Sequence, residues 1–330
     1  MSTIKEKFES VRTSENGTGA IELSVIIAIR DPERASPIEQ IYYEYKQQIE
    51  RAGLRYEFIF VIGGKDSGVF KDLCRLKENG ERIKILVFAK FYGEATALNA
   101  GFEHASGQIV LTLPAYRQVD SSAIPAVIEA LSDTDMVIVR RWPRVDSRMN
   151  RLQTRFFHAI LRKLLGVSFQ DMTCSIRVMK RTVIEHVHMY GDQQRFFPIL
   201  AGRFGFKVKE IEVPQSKQDA FPRVYKAGVY VRRLLDLLSI FFLVKFTAKP
   251  LRFFGLTGFS VFSIGLLFSL VLVFQRLFMG EALADRPALL FGVLLIVLGI
   301  LLFAIGLVGE LIIFVHAKDL KEYRIEEIVN

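Results

Sequence analysis

Cysteine is nearly absent. Only Cys74 and Cys174 occur in 330 residues, too few for a disulfide framework and not spaced as metal ligands. Both read as reduced thiols on a cytoplasmic face. Histidine is scarce too, with five in all. His186 and His188 are two apart, which puts them on different faces of a helix, so they read as structural. No internal repeat is evident, which argues against a repeat architecture. The chain does not open on an apolar run. Residues 1–20 are polar and read as a flexible N-terminus, not a secretory signal.

What the chain has in quantity is apolar surface and positive charge. Hydrophobic residues make up 51% of it, including 28 Phe, and the net charge is +9. This length and composition leave room for membrane spans beside a folded domain. From Lys249 onward seven Lys/Arg balance seven Asp/Glu, so the whole positive excess lies in residues 1–248. A basic domain of this kind suits an anionic lipid surface, a nucleotide sugar or a lipid phosphate. Nothing in the pattern calls for nucleic acid, and self-association is left open.

Strand and helix signals alternate through the first 140 residues. Strands are expected at 22–29, 56–62, 83–88, 109–113 and 135–139, with helices at 38–52, 69–79, 93–104 and 122–131. This alternation indicates an α/β fold with a largely parallel sheet and helices on both faces. The run Gly107–Asp120, GQIVLTLPAYRQVD, is central: an apolar strand bounded by Gly and broken by Pro114. Ligands of open α/β sheets bind beyond the carboxyl ends of such strands, which points to residues 114–120.

From Arg144 the pattern reads as helical. Arg144, Arg148, Arg151, Arg155 and Arg162 form a basic stripe beside an apolar one. The stripe is either a solvated face or a surface for phosphate and lipid headgroups. Residues 229–250 read as an amphipathic interfacial helix. Residues 251–316 hold two apolar runs, 251–274 and 288–315, each exceeding the roughly 20 residues needed to span a bilayer. Residues 317–330 form a tail. Lys245, Lys249, Arg252, Lys318, Lys321 and Arg324 flank one side, against Arg276 and Arg286 in the loop. The positive-inside rule makes both termini cytoplasmic in a two-span membrane protein. Glu310, within the second run, either reaches water near the cytoplasmic end or contacts lipid or Arg252.

Residues 21–228 together with the two spans resemble a membrane-attached family 2 glycosyltransferase of the polyprenyl-phosphate type, similar to dolichol-phosphate mannosyltransferase. The resemblance rests on SVIIAIRD, KFYGEATALNAGFEHASGQIV, QDMTCSIRVMKR, RFFPILAGRFGFKVKEIEVP, KPLRFFGLTGF and GLVGE, six segments in order. It implies the nucleotide-diphospho-sugar transferase (GT-A) fold, with transfer of a sugar from a nucleotide sugar to a polyprenyl phosphate or related lipid. In the family the central strand ends Asp-x-Asp and holds a divalent metal; here those positions are Pro114 and Tyr116. The second strand's acidic pair is Ile62 and Gly63. No metal ligand is assigned, and Mg2+ or Mn2+ would bind without the usual motif. Lys and Arg can instead balance charge on a departing diphosphate.

On the resemblance, Arg117 and Asp120 are the catalytic candidates. Asp31, Lys65, Asp66, Lys90 and Gln118 are the donor-binding candidates. Arg141, Arg177, Arg195, Arg223 and Tyr225 are the candidates for the acceptor. The alternative is a catalytically inactive relative that keeps the fold and serves as a binding or assembly partner in envelope glycan synthesis.

Overall fold

In the computed structural model the described residues are 21–30, 37–65, 67–143, 169–187, 189, 193–219, 250–279 and 287–316. The chain forms two compact units, Met1–Ile240 and Phe241–Asn330. The basic stripe of 144–162, the interfacial segment 229–249, Asp31, Asp66, His188, Arg223 and Tyr225 lie outside the described residues.

The first unit is built on one seven-stranded sheet. In chain order its elements are β1 (Leu23–Ile29), α1 (Ile38–Ala52), β2 (Tyr56–Gly63), α2 (Gly68–Glu78), β3 (Ile83–Phe88), α3 (Glu94–Glu103) and β4 (Ile109–Thr112). They continue with α4 (Ile124–Glu129), β5 (Met136–Arg141), β6 (Arg177–Lys180), α5 (Arg181–His186), α6 (Phe197–Arg203) and β7 (Val208–Val213). The strand order is β3-β2-β1-β4-β6-β5-β7. All neighbours pair in parallel except β6, which runs antiparallel to both β4 and β5.

The central strands are continuous apolar runs because helices cover both faces. One parity of the sheet, with Leu23, Val25, Ile27, Phe58, Phe60, Leu111 and Val137, packs with α1, α2 and α4 in the main core. On the opposite face Gly101 of α3 lies so close to Ile26 that an added Cβ would fall 2.5 Å from its Cγ2. Two strands, β6 and β7, follow Arg144, where the pattern reads as helical. Arg177–Lys180 has only four residues, too short to show a period of two. Because β6 is antiparallel, its beginning lies at the same end of the sheet as the carboxyl ends of β4 and β5.

The second unit contains α7 (Pro250–Met279) and α8 (Pro287–His316). Both are long and apolar enough to cross a membrane, over Pro250–Gln275 and Pro287–Ile312, with mean hydropathies of 2.3 and 3.2. Helix α7 continues through Gln275–Met279, where the sequence suggested a loop; nothing in that stretch breaks a helix, whereas Pro287 fits the first turn of α8. The two helices meet along glycines spaced by seven: Gly258 and Gly265 on one, Gly292, Gly299 and Gly306 on the other. A Cβ at Gly299 would lie 2.5 Å from Phe262 N and 2.7 Å from Gly258 O. Small residues let such helices pack backbone to backbone. The Glu310 carboxylate accepts a hydrogen bond from the Leu251 N–H at 3.3 Å. It thereby satisfies an otherwise orphaned amide in the first turn of α7.

Candidate active site

The turn after β4 is gripped from α1. The Tyr45 hydroxyl, buried, lies 3.2 Å from the carbonyl oxygens of both Pro114 and Tyr116 and donates to them. Burial pushes the Tyr45 phenol far above its ordinary value, so it remains a donor. One residue earlier on α1, Glu44 takes Arg117: Arg117 Nε is 2.6 Å from Glu44 Oε2. The positive charge of Arg117 is thus already partnered.

Gln118 is buried beneath the turn and fully engaged. Its amide nitrogen donates to the Tyr116 hydroxyl at 2.9 Å, and its oxygen accepts from Ser175 N at 2.9 Å and from Cys174 Sγ at 3.3 Å. It therefore locks the end of β4 to the entry of β6. The backbone of 118–120 meets 214–216: Ser216 N donates to Gln118 O, Asp120 N to Pro214 O, and Val119 bridges Gln215. Asp120 is exposed and caps the 3-10 turn Ser121–Ala123. Its Oδ1 accepts from Ser122 Oγ at 2.7 Å and Ser122 N at 3.0 Å, and these bonds hold its carboxyl below the usual range.

Arg141, at the end of β5, forms a buried fork with Asp171: Nε to Oδ2 at 2.7 Å and Nη2 to Oδ1 at 2.9 Å. Nη2 also donates to Thr173 Oγ1 at 2.6 Å, and Nη1 lies 3.7 Å from Asp219 Oδ2. The guanidinium thus ties β5 to the segment entering β6 and to the loop after β7. Arg177 is buried and donates to the Gln194 carbonyl. Burial lowers its pKa, opposed mainly by the charge of Glu94. Arg195 is half-buried in the 3-10 turn Gln193–Phe196. Lys65 and Lys90 are both exposed, beyond the ends of β2 and β3.

A divalent ion does not fit the described residues. Pro114 offers no ligand. Tyr116 is held protonated by burial, and its hydroxyl accepts from Gln118. Among the described residues no group of three His, Cys, Asp or Glu could hold a metal. The structure therefore brings together Tyr116, Arg117 and Gln118 around the β4 turn and sets Arg141 in a neighbouring buried cluster. Lys65 and Lys90 stand apart from both. The sequence reading missed Glu44 and Tyr45. They reach the turn from 69 to 73 residues away, and nothing in α1 itself signals that.

Residues 24–187 match the family model "Glycosyl transferase family 2". Over 294 residues the chain is 29% identical to undecaprenyl-phosphate 4-deoxy-4-formamido-L-arabinose transferase of Sodalis glossinidius, covering 88% of each chain. It is 24% identical to dodecaprenyl-phosphate galacturonate synthase of Rhizobium johnstonii over 322 residues, covering 94% of this chain and 93% of that one. Among solved structures, glucosyl-3-phosphoglycerate synthase from Mycobacterium tuberculosis in complex with Mn2+, UDP and phosphoglyceric acid aligns with a TM-score of 0.51 and 16% identity. That alignment covers 72% of this chain and 82% of the other, and shows a shared fold.

Proposed function

The chain carries a glycosyl transferase family 2 domain, and on that premise we propose that it moves a sugar from a nucleotide-sugar donor to a polyprenyl phosphate at a membrane. The observation that carries this reading is the reach of the similarity. A match over 94% of the chain takes in the body of both long apolar helices as well as the sheet, and the proteins so matched are named for polyprenyl-phosphate chemistry.

In the transfer, the bond from the sugar's anomeric carbon to the diphosphate breaks and its electron pair leaves with the diphosphate. An oxygen of the lipid phosphate forms the new bond. A lipid phosphate is already anionic at neutral pH, so no strong general base is required. What the site must supply is positive charge for the leaving group, in fixed positions. The basic excess of residues 1–248 suits both this task and an anionic lipid surface.

By charge placement the termini are cytoplasmic and residues 280–286 face away. A Cys placed at Glu281 should then react with an impermeant thiol reagent in whole cells, and one at Glu326 should not; the reverse labelling would invert this topology.

A second reading has its own observation. Pro114 and Tyr116 replace the acidic pair at the β4 turn, as expected of a relative that binds without catalysing. Thermal unfolding of the full chain in detergent, against a panel of nucleotide sugars and a polyprenyl phosphate, tests the proposal. A ligand at about 100 times its Kd stabilises the fold by about 2.7 kcal/mol. Stabilisation by a nucleotide sugar and by the lipid phosphate is the expected result, and no shift with any donor would contradict it.

A further inference from the structure

The metal position at the β4 turn is filled by uncharged groups and Arg117 is spent on Glu44, yet a departing diphosphate still needs positive charge. We propose that Lys65, Lys90 and Tyr92 form a metal-independent seat for a nucleoside diphosphate, beyond the carboxyl ends of β2 and β3. The inference rests on the donor being a nucleotide sugar.

The strand register sets the two lysine-bearing loops beside one another. Gly63 pairs with Phe88, and the Gly64 N–H donates to Phe88 O at 2.9 Å. Lys65 and Lys90 each follow that pair by two residues, in the bends after two adjacent parallel strands. The loop that bears Lys90 lies directly over the end of β2: a Cβ at Gly63 would fall 2.6 Å from Phe91 N. No acidic residue could occupy position 63 without displacing that loop. The missing carboxylate of β2 and the placement of Lys90 are thus one structural fact.

Lys65 and Lys90 are exposed, and neither forms an ion pair among the described residues. The nearest acidic residue in sequence after Lys90, Glu94, acts electrostatically on buried Arg177. Tyr92 is 54% exposed. Its ring stands edge-on to Phe88 at 5.7 Å, and Lys90 Nζ lies 5.4 Å from its centroid. An exposed aromatic face beside two exposed cations with no ion pair among the described residues matches a nucleoside diphosphate: the base stacks on the ring, and the phosphate oxygens accept charge-assisted bonds from the lysines. Stacking of this kind tolerates different bases, so Tyr92 would hold the nucleoside without selecting it.

Calorimetric titration of the full chain in detergent tests the seat, using uridine, guanosine, cytidine, adenosine and thymidine diphosphates and inorganic pyrophosphate, all in excess chelator. At least one nucleoside diphosphate should bind, with an affinity unchanged by Mn2+. Lys65→Gln and Lys90→Gln should each weaken it about tenfold, and the pair about a hundredfold. Tyr92→Ala should weaken the nucleoside diphosphate but not pyrophosphate, and Tyr92→Phe should restore it. All three positions tested face solvent, so the unliganded melting temperature serves as the folding control. Undiminished binding in the lysine variants, or binding that requires Mn2+, would overturn the seat and leave the transferase reading standing. Failure of every nucleoside diphosphate with and without metal would overturn both.

Discussion

Arg117 Nε and Glu44 Oε2 stand 2.6 Å apart, joining the turn after β4 to helix α1. The resemblance makes Arg117 a candidate for balancing a diphosphate; in the structure its guanidinium pairs with Glu44. Both side chains are about three-quarters buried, so their coupling in a double-mutant cycle should be about 1 kcal/mol. Arg117→Ala should lower the melting temperature slightly and change donor affinity less than about threefold. A hundredfold loss of turnover without loss of stability would return Arg117 to the reacting centre.

The Arg141–Asp171 fork is expected to be the most sensitive polar contact in the sheet unit. Its side chains are 3% and 1% exposed. Asp171→Ala leaves a buried guanidinium short of its partner, at a cost of about 3–5 kcal/mol. Arg141→Lys keeps the charge but loses the planar fork and should also destabilise. Thermal unfolding in detergent measures both; a drop below 1 kcal/mol for Asp171→Ala would show that Asp219 and Thr173 suffice.

Acid sensitivity should trace in part to Glu57, at the amino end of β2. Burial would push its carboxyl up, but hydrogen bonds from Lys84, Ser24 and the Ser106 amide outweigh it and hold the carboxyl below the usual glutamate range. A depressed folded-state pKa contributes stability that is present above the unfolded value of about 4.3. That stability is lost as pH falls through the folded value. Stability of the parent should therefore fall more steeply than that of Glu57→Gln on acidification below about pH 4.3. Parallel curves for the two proteins would remove Glu57 from the account.

The glycine seam of the second unit allows a direct packing test. Gly299→Leu drives a side chain into the backbone of Phe262 and Gly258. It should cost at least the 1–3 kcal/mol typical of overpacking. Ile264→Ala, at a position 61% exposed, should leave the pairing of α7 and α8 intact. Equal melting temperatures for parent and Gly299→Leu would mean that the helices do not rely on this seam.

Strands β1 to β5 are legible in the sequence because each is an apolar run bounded by turn residues. Their observed ends fall within about two residues of the expected ones, a normal margin for element boundaries. Strand β6 is not legible. RVMK is four residues long, and its antiparallel course is set by what flanks it in space, β4 and β5. The same distinction holds at the site. The loss of acids at 114 and 116 is plain from the residues themselves. The bonds that Gln118 makes to Cys174 and Ser175, and the grip of Tyr45 on the turn, cross more than fifty residues of chain. Only the folded sheet brings them together. Lys65 and Lys90 are donor candidates in the sequence only through the resemblance, and the β2–β3 pairing is what sets the loops that carry them beside one another.

Transfer itself is the most direct test. Full-length protein in vesicles that contain polyprenyl phosphate is supplied with labelled nucleotide sugars, with divalent ions removed by chelator. The account expects label to appear in the lipid fraction with at least one donor, at a rate that added Mn2+ leaves within about twofold and that the Lys65→Gln, Lys90→Gln pair lowers about a hundredfold. Donor binding without labelled lipid under any condition, with or without metal, would contradict transfer and leave a binding protein built on a transferase fold.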